Sequence, residues 1–555
     1  MYGISDRKDI EKLHKIMVQK ELNVKESVRI ENKKSIWIFC ILLFVQCSVI
    51  IAWATQKEGM HVDEIFTMEG VKQKGVSMCY WDLAEDFYGT EHTREEFLEH
   101  MRVNCDDLIV NDGIAQVMDS LLHGEFYYVL INLISSIHPR HIPWNICVGF
   151  NLLCFLVTQI ILYLFARENF GDICALFTIA VYGFSAGAVS TVLYARCYMM
   201  LAMYVVLLIY VFHTFLKVEK PGQKIICIFG SAALAFCAYR THQFGTILFI
   251  MITGMAVLYM LIKKRWNALT WLGVGYGIPC FLGYRVIWNK LKVFFTGGVA
   301  SLFYGSVKNT PMSERISCIK TAIHTVADHM FGNTWIMLII AMVFLFYFVR
   351  CKIWCKDSVL RNKIAVLGMA IIVVAYYLVA VLGEAIAWRY LSPVYPIIAM
   401  LLGVMISLLY TDGRMTINRR RIVIVAVVCI PFISYGSHHV SEMYAGKEAR
   451  WEELEARYHG VNGIMVHHDL QGNGENWLYE AAMLWPQESN VMVIQNKMLY
   501  EDTLCYNRAD NKILLWLTVD YDNEEAINRF RELTDYGDIE LIMSTESLRI
   551  FECNK

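Results

Sequence analysis

Residues 36–70 read IWIFCILLFVQCSVIIAWATQKEGMHVDEIFTMEG, an uncharged run that leads into an acidic pair. Ile36 to Ala54 carry no charge, and at about 1.5 Å per residue they make a helix long enough for one bilayer crossing. Asp63 and Glu64 stand side by side a short way beyond its end. Carboxylates at a membrane edge are costly to keep ionised, so they face a cavity, a cationic partner or a substrate. The stretch therefore reads as a span that delivers an acidic pair to one bilayer surface, with Asp63 as the reactive group.

The remainder of the chain has the same apolar character. Of 555 residues, 56% are hydrophobic and only 18% are charged, too apolar and too long for one soluble domain. The fold class expected is an α-helical multispan membrane protein. A long polar segment precedes Ile36 and no small-residue cleavage site follows cleanly, which argues against a cleaved signal peptide. A net charge of -2 gives no case for a nucleic-acid partner. Most of the 17 cysteines, such as Cys40, Cys47, Cys154, Cys227 and Cys429, lie in apolar runs where they act as small hydrophobes. Neither a disulfide framework nor a zinc module is implied.

Residues 1–35 alternate Lys or Arg with apolar residues, and positive charge before the first span places this segment in the cytoplasm. An outer loop, 55–143, follows, with helical patches such as TREEFLEHMRVNCDDLIV and an apolar segment, MDSLLHGEFYYVLINLISSIHP, that dips into the outer leaflet. Further spans are expected at Trp144–Phe165, Asp172–Leu193, Tyr198–Leu216, Ile225–Tyr239, Phe244–Ile262, Leu269–Trp288, Thr334–Val349, Ile364–Leu382, Val394–Tyr410 and Ile422–Tyr435. Lys and Arg collect in alternate loops, at 217–224, 263–265, 350–363 and 414–421. Roughly eleven crossings make a membrane domain over 36–436 and leave the C-terminus outside. Residues 437–555 mix strand-like runs (NGIMVHH, NVMVIQN, KILLWLTVD, IELIMSTESLRIF) with helix-like ones, the pattern of a small extracytoplasmic α/β domain.

The short outer turns hold single arginines in YARCYMM, AYRTHQFG and AIAWRYLSPVYP, namely Arg196, Arg240 and Arg389. Each sits at a span boundary on the side of Asp63, beside a Tyr or His, and a guanidinium fork there suits a phosphate near the bilayer surface. A single Arg at such a boundary also snorkels to lipid headgroups; three together favour a site. His467-His468-Asp469 and His438-His439 lie away from this set and read as surface polar clusters.

An acidic pair after the first span, then HGEFYY, ARCYMM, THQFG and WRYLSPVYP in this order, resemble the polytopic GT-C glycosyltransferases. The resemblance covers roughly residues 36–410 and is nearest to the bacterial undecaprenyl-phosphate-sugar-dependent branch, which includes protein O-mannosyltransferase-like and aminoarabinose transferase-like enzymes. Its D-x-H-P-P-L-Y-Y segment corresponds to His123, Tyr127 and Tyr128, with Gly124 and Glu125 in place of the prolines, Leu121 in place of the Asp, and Gln243 in place of the aromatic after Thr241-His242. The resemblance implies transfer of a sugar from a polyprenyl-phosphate donor to a hydroxyl on a lipid, glycan or protein acceptor. Asp63 would be the base and Glu64 an orienting acid. Arg196, Arg240 and Arg389 would hold phosphate, with Tyr198, His242, Tyr390, His123, Tyr127 and Tyr128 lining the donor. The family is divided over divalent cations, so a metal at His123 stays open and no cofactor is assigned. The alternative from another class is a transporter or flippase of polysaccharide or lipid-linked sugar. It would place its charged residues and broken helices near the midplane of paired repeats, whereas these collect at one face.

Overall fold

The computed structural model describes residues 33–57, 61–72, 88–103, 124, 126–137, 144–282, 311–350, 363–383, 386–411, 451–467, 481–500, 510–518, 523–544 and 548–555, with single positions at 416, 418, 425 and 478. A first long helix, α1 (Lys33–Ala54), contains the uncharged run. The segment after α1 gives α2 (Val62–Lys72), a short strand β1 (Thr90–His92), α3 (Arg94–Met101) and α4 (Phe126–Ser135).

The bundle continues with α5 (Trp144–Phe170), α6 (Asp172–Gly183), α7 (Ala186–Leu193), α8 (Tyr198–Lys217), α9 (Pro221–Thr241), α10 (Gln243–Ile262) and α11 (Trp266–Leu282). It closes with α12 (Met312–Phe331), α13 (Thr334–Arg350), α14 (Lys363–Leu382), the single turn α15 (Trp388–Leu391), a 3-10 turn at Ser392–Val394 and α16 (Tyr395–Thr411). Among the described residues, seven helices are long and apolar enough to cross a membrane, and nine if each of two bent pairs counts as one span. Of the expected spans, Leu269–Trp288 is described only in part and Ile422–Tyr435 lies outside the described residues.

Two departures from the expected spans matter for the site. The run Asp172–Leu193 is not one straight helix but α6 and α7, bent by 56°. Ser185 causes the break: its extended backbone leaves the helix, and its Oγ accepts from Ala188 N to cap the next one. The second departure is α12, whose sequence MSERISCIKTAIHTVADHMF has too many polar residues to be read as a span, yet it is a continuous helix ended by Gly332 at φ 78°.

Amide groups tie the bundle together where apolar contact alone gives no register. Gln46 of α1 donates to the Ile179 carbonyl at 2.9 Å, and Gln159 of α5 donates to Gln46 Oε1 at 2.9 Å. Helices α6 and α16 approach closely at Gly403, where an added Cβ would stand 2.1 Å from Thr178 Oγ1.

The C-terminal region comprises α17 (Trp451–Tyr458), β2 (Gly463–His467), β3 (Val491–Gln495), α18 (Asn496–Tyr500), β4 (Lys512–Thr518), α19 (Asn523–Leu533), β5 (Asp538–Ser544) and β6 (Leu548–Asn554). The sheet order is β1-β3-β2-β4-β6-β5. Strands β3, β2 and β4 run parallel, and β2 is buried along its whole length, as the apolar run GIMVH requires of a central parallel strand. The run IELIMSTESLRIF, expected as one stretch, divides into the antiparallel pair β5 and β6. Strand β1 is supplied by the segment between α2 and α3 and pairs antiparallel with β3, which the sequence reading did not foresee. Tyr88 fixes that junction with a 3.0 Å hydrogen bond to His467 Nδ1. His467 is therefore buried at the sheet, not part of a surface cluster, because its ring is packed against Tyr88.

Candidate active site

Asp63 opens α2 on the connection leaving α1, where a carboxylate is favoured by the exposed N–H groups of a first helical turn. Tyr194, between α7 and α8, donates to Asp63 Oδ2 at 2.6 Å. Arg389 of α15 places Nε 3.1 Å from the same oxygen. His61 Nδ1 lies 3.8 Å from it and also accepts from Asp63 N at 3.0 Å. The Tyr194 hydrogen bond and the Arg389 ion pair thus fall on the same oxygen, Oδ2. Burial alone raises the Asp63 pKa, but Arg196, Arg389 and His61, together with the Tyr194 hydroxyl, outweigh it and hold the carboxyl below its ordinary value. Burial, with the Asp63 charge beside it, raises Tyr194 well above its ordinary value and keeps it a donor.

The sequence reading made Glu64 an orienting acid, facing either the acceptor or Asp63. The structure corrects the first of these. Glu64 is fully buried; its oxygens take an ion pair from Lys57, 2.8 Å from His61 N and 2.7 Å from Ala195 N. Buried on those partners, it acts as a staple between the α1–α2 connection and the YAR loop. Lys57 completes the staple by donating to the Leu193 carbonyl at 3.0 Å and lying 5.3 Å from the Trp144 ring centroid. Burial pulls the Lys57 ammonium below its ordinary pKa, against the opposing pull of Glu64.

Arg196 is more enclosed than a phosphate ligand at an open face would be. It is 4% exposed, and its NH1 donates to the Asp63 carbonyl at 2.9 Å, Thr67 Oγ1 at 3.1 Å and Tyr128 Oη at 3.3 Å. It holds the start of α2 in place beneath the acidic pair. Asn151 of α5 does the same for the YAR loop, donating to the carbonyls of Tyr194 at 2.8 Å and of Val192 and Arg196 at 3.3 Å. Its Oδ1 accepts from Tyr127 at 3.4 Å. The two tyrosines of HGEFYY are thus brought to the site from α4 as supports, while His123 lies outside the described residues.

An aromatic wall borders the acid. Tyr198 lies 5.6 Å from His242 and 5.8 Å from Tyr390, ring centroid to ring centroid. The Tyr198 hydroxyl is buried and meets no hydrogen-bond partner among the described residues. His242 caps α10 by accepting from Phe244 N at 3.1 Å. Arg240 stands half-buried in the last turn of α9, and the Gly124 N–H donates to the adjacent Thr241 carbonyl at 3.2 Å. An added Cβ at Gly124 would fall 2.0 Å from the Arg240 carbonyl, so glycine in place of the resembling family's proline permits this close approach. On the other flank Trp388 packs 5.2 Å from Tyr194 and 5.5 Å from His329 of α12.

Asp63, Arg389, Tyr198, His242 and Tyr390 therefore converge from separate parts of the chain. Lys57, Tyr194, Asn151 and His329 were not singled out in the sequence. YARCYMM does contain Tyr194, but nothing in that run says its hydroxyl turns toward Asp63. Among the described residues no group of three or more His, Cys, Asp or Glu is placed to hold a metal ion.

No protein-family model matches the chain, and no curated protein matches it. Among solved structures it is similar to ArnT from Cupriavidus metallidurans bound to undecaprenyl phosphate, at 12% identity and TM-score 0.49, over 92% of this chain and 97% of that one. It is similar to the Archaeoglobus fulgidus oligosaccharyltransferase in the apo form, at 9% identity and TM-score 0.45, over 92% of this chain and 74% of that one. A third similarity is to the arabinofuranosyltransferase AftD from Mycobacteria, at 10% identity and TM-score 0.42, over 92% of this chain and 40% of that one. Each is a likeness in overall shape at low identity.

Proposed function

We propose that the chain is a GT-C-type membrane glycosyltransferase that moves a sugar from a polyprenyl-phosphate donor to an acceptor hydroxyl at the extracytoplasmic face. The observation that carries this reading is the Asp63 carboxylate, anchored through Oδ2 by Tyr194 and Arg389. In the reaction the acceptor O–H gives its proton to Asp63 Oδ1 while the acceptor oxygen bonds to the anomeric carbon. The bond from that carbon to the phosphate oxygen breaks, and polyprenyl phosphate leaves. Arg389 and Arg240 offset the charge that grows on the departing phosphate. A carboxylate of depressed basicity is adequate because the leaving group is already good and the proton moves as the new C–O bond forms. One base opposite one leaving group means inversion, since retention ordinarily needs a second, nucleophilic carboxylate. Glu64 does not supply it, being committed to Lys57.

The transporter alternative requires polar groups lining a path near the midplane. The buried amides Gln46 and Gln159 are instead bonded to each other and to the Ile179 carbonyl. Purified protein in nanodiscs, given a panel of undecaprenyl-phosphate sugars and membrane-extract acceptors, tests the reading. Expected are release of undecaprenyl phosphate, a product of inverted configuration and no release by Asp63→Asn. Passage of intact lipid-linked sugar across the bilayer with no phosphate released would favour the transporter.

A further inference from the structure

Helix α12 meets α13 at 82°. Along its first half Met312, Ile316, Ile319 and Ile323 are 74%, 46%, 42% and 46% exposed. Their spacing of four, three and four residues puts them on one face of a helix. Glu314, Ser317 and Thr321 occupy the opposite side and are exposed. A stripe of this kind facing water is an unusual cost for a protein surface.

The direction of the helix indicates what covers the stripe. Helix α13 is apolar and presents Trp335, Leu338, Ile339 and Met342 outward, a surface suited only to lipid. A helix nearly perpendicular to a segment that crosses the bilayer runs along the plane of the membrane. A polar face opposite an apolar stripe is the form of an interfacial helix. The second half of α12 turns inward, burying Val326, Ala327, Met330 and Phe331, and its His329 stacks on Trp388 beside Arg389.

We propose that α12 is an interfacial anchor, its stripe seated among the acyl chains of the leaflet at the site's end of the bundle. The occupant of the face is bilayer lipid. Because the buried end of the same helix holds Trp388, the depth of α12 in the leaflet sets the height of Arg389 above the bilayer. The inference depends on the bundle crossing a membrane and not on sugar transfer, so it stands or fails separately from the proposed reaction.

Collision measurements on the full-length chain provide the test. Single cysteines at Met312→Cys, Ile316→Cys, Ile319→Cys and Ile323→Cys, and on the polar side at Glu314→Cys, Ser317→Cys and Thr321→Cys, are made in a background without native cysteines. They are spin-labelled in nanodiscs of phosphatidylethanolamine and phosphatidylglycerol. The four stripe positions should favour dissolved oxygen and the polar positions a nickel chelate, alternating with the helical period. Equal access of nickel to both faces would overturn the proposal by placing the helix in water. Shielding of the stripe from both reagents would overturn it in favour of a protein cover. In the unsubstituted protein a phospholipid with a diazirine near its headgroup should label the peptide 312–323, and absence of an adduct there would also defeat the proposal.

Discussion

Two carboxylates adjacent in sequence have opposite fates because of what surrounds each one. Glu64 is spent on Lys57 and two backbone N–H groups, while Asp63 is held by side chains, the Tyr194 hydroxyl and the Arg389 guanidinium. Asp63→Asn preserves the shape of the side chain and removes the base. It should lower single-turnover transfer by at least about a hundredfold while donor binding, measured by calorimetry, is retained. Arg389→Ala should cost about 2–4 kcal/mol in transfer, and Lys should rescue it only in part because an ammonium lacks the planar fork. The same variant has a signature in pH. Burial raises the Asp63 pKa and is its largest single influence, so the carboxyl stays low only while the cations beside it remain. Transfer needs the deprotonated form; in the parent protein the acid limb of kcat/KM should lie below the ordinary Asp value of 3.8. Removing Arg389 should move that limb to higher pH. A limb that does not move in Arg389→Ala would show that Asp63 is not the group titrating.

At the scale of elements, the site depends on helices held at fixed separations and on a break placed by one serine. Gly403 of α16 lies against Thr178 of α6, and a Cβ there would meet the Oγ1 at 2.1 Å and the Thr178 backbone N at 2.9 Å. Backbone cannot rotate away as a side chain can, so Gly403→Ala should destabilise by about 1–3 kcal/mol, read as a lower midpoint of thermal unfolding in detergent. The sheet has its own sensitivity. The Tyr458 hydroxyl bonds Glu552 at 2.5 Å, and with Lys512 at 2.9 Å and Asn554 at 3.1 Å it carries the carboxyl from an ordinary 4.5 to about 2 against the effect of burial. A depressed carboxyl contributes stability that is complete above its unfolded value and lost as pH falls through its folded one. Unfolding of the sheet region, followed by tryptophan fluorescence, should therefore become easier between pH 4.5 and about 2, and Glu552→Gln should flatten that dependence.

For the whole molecule, hydropathy and the order of short motifs were enough to read a helical membrane bundle and to put Asp63 and Arg389 on one side of it. They were not enough for the supports, and the physical reason differs in each case. Lys57 reads as a linker lysine until Glu64 is seen to bury with it. Asn151 is a polar residue in an apolar helix, and its three carbonyl partners come from the end of α7 and the loop after it, more than forty residues on. Helix α12 was hidden because an interfacial helix averages apolar and polar faces. Strand β1 is three residues long and gains its identity only from β3. That pairing constrains topology independently of any charge count, since residues 90–92 and 491–493 form one ladder and must lie on one side of the membrane. The number of crossings between them is then even, as are the ten that hydropathy leaves after α1. Impermeant thiol labelling of intact cells, on a background without native cysteines, should treat Glu95→Cys and Glu488→Cys alike. If the site faces outward both should react, with Lys20→Cys protected until the membrane is opened. Labelling of only one of the first two would mean that β1 and β3 do not pair in the membrane-embedded protein. Protection of both with labelling of Lys20→Cys would keep the pairing and invert the chain, placing Asp63 and Arg389 in the cytoplasm and removing the outer-face reaction.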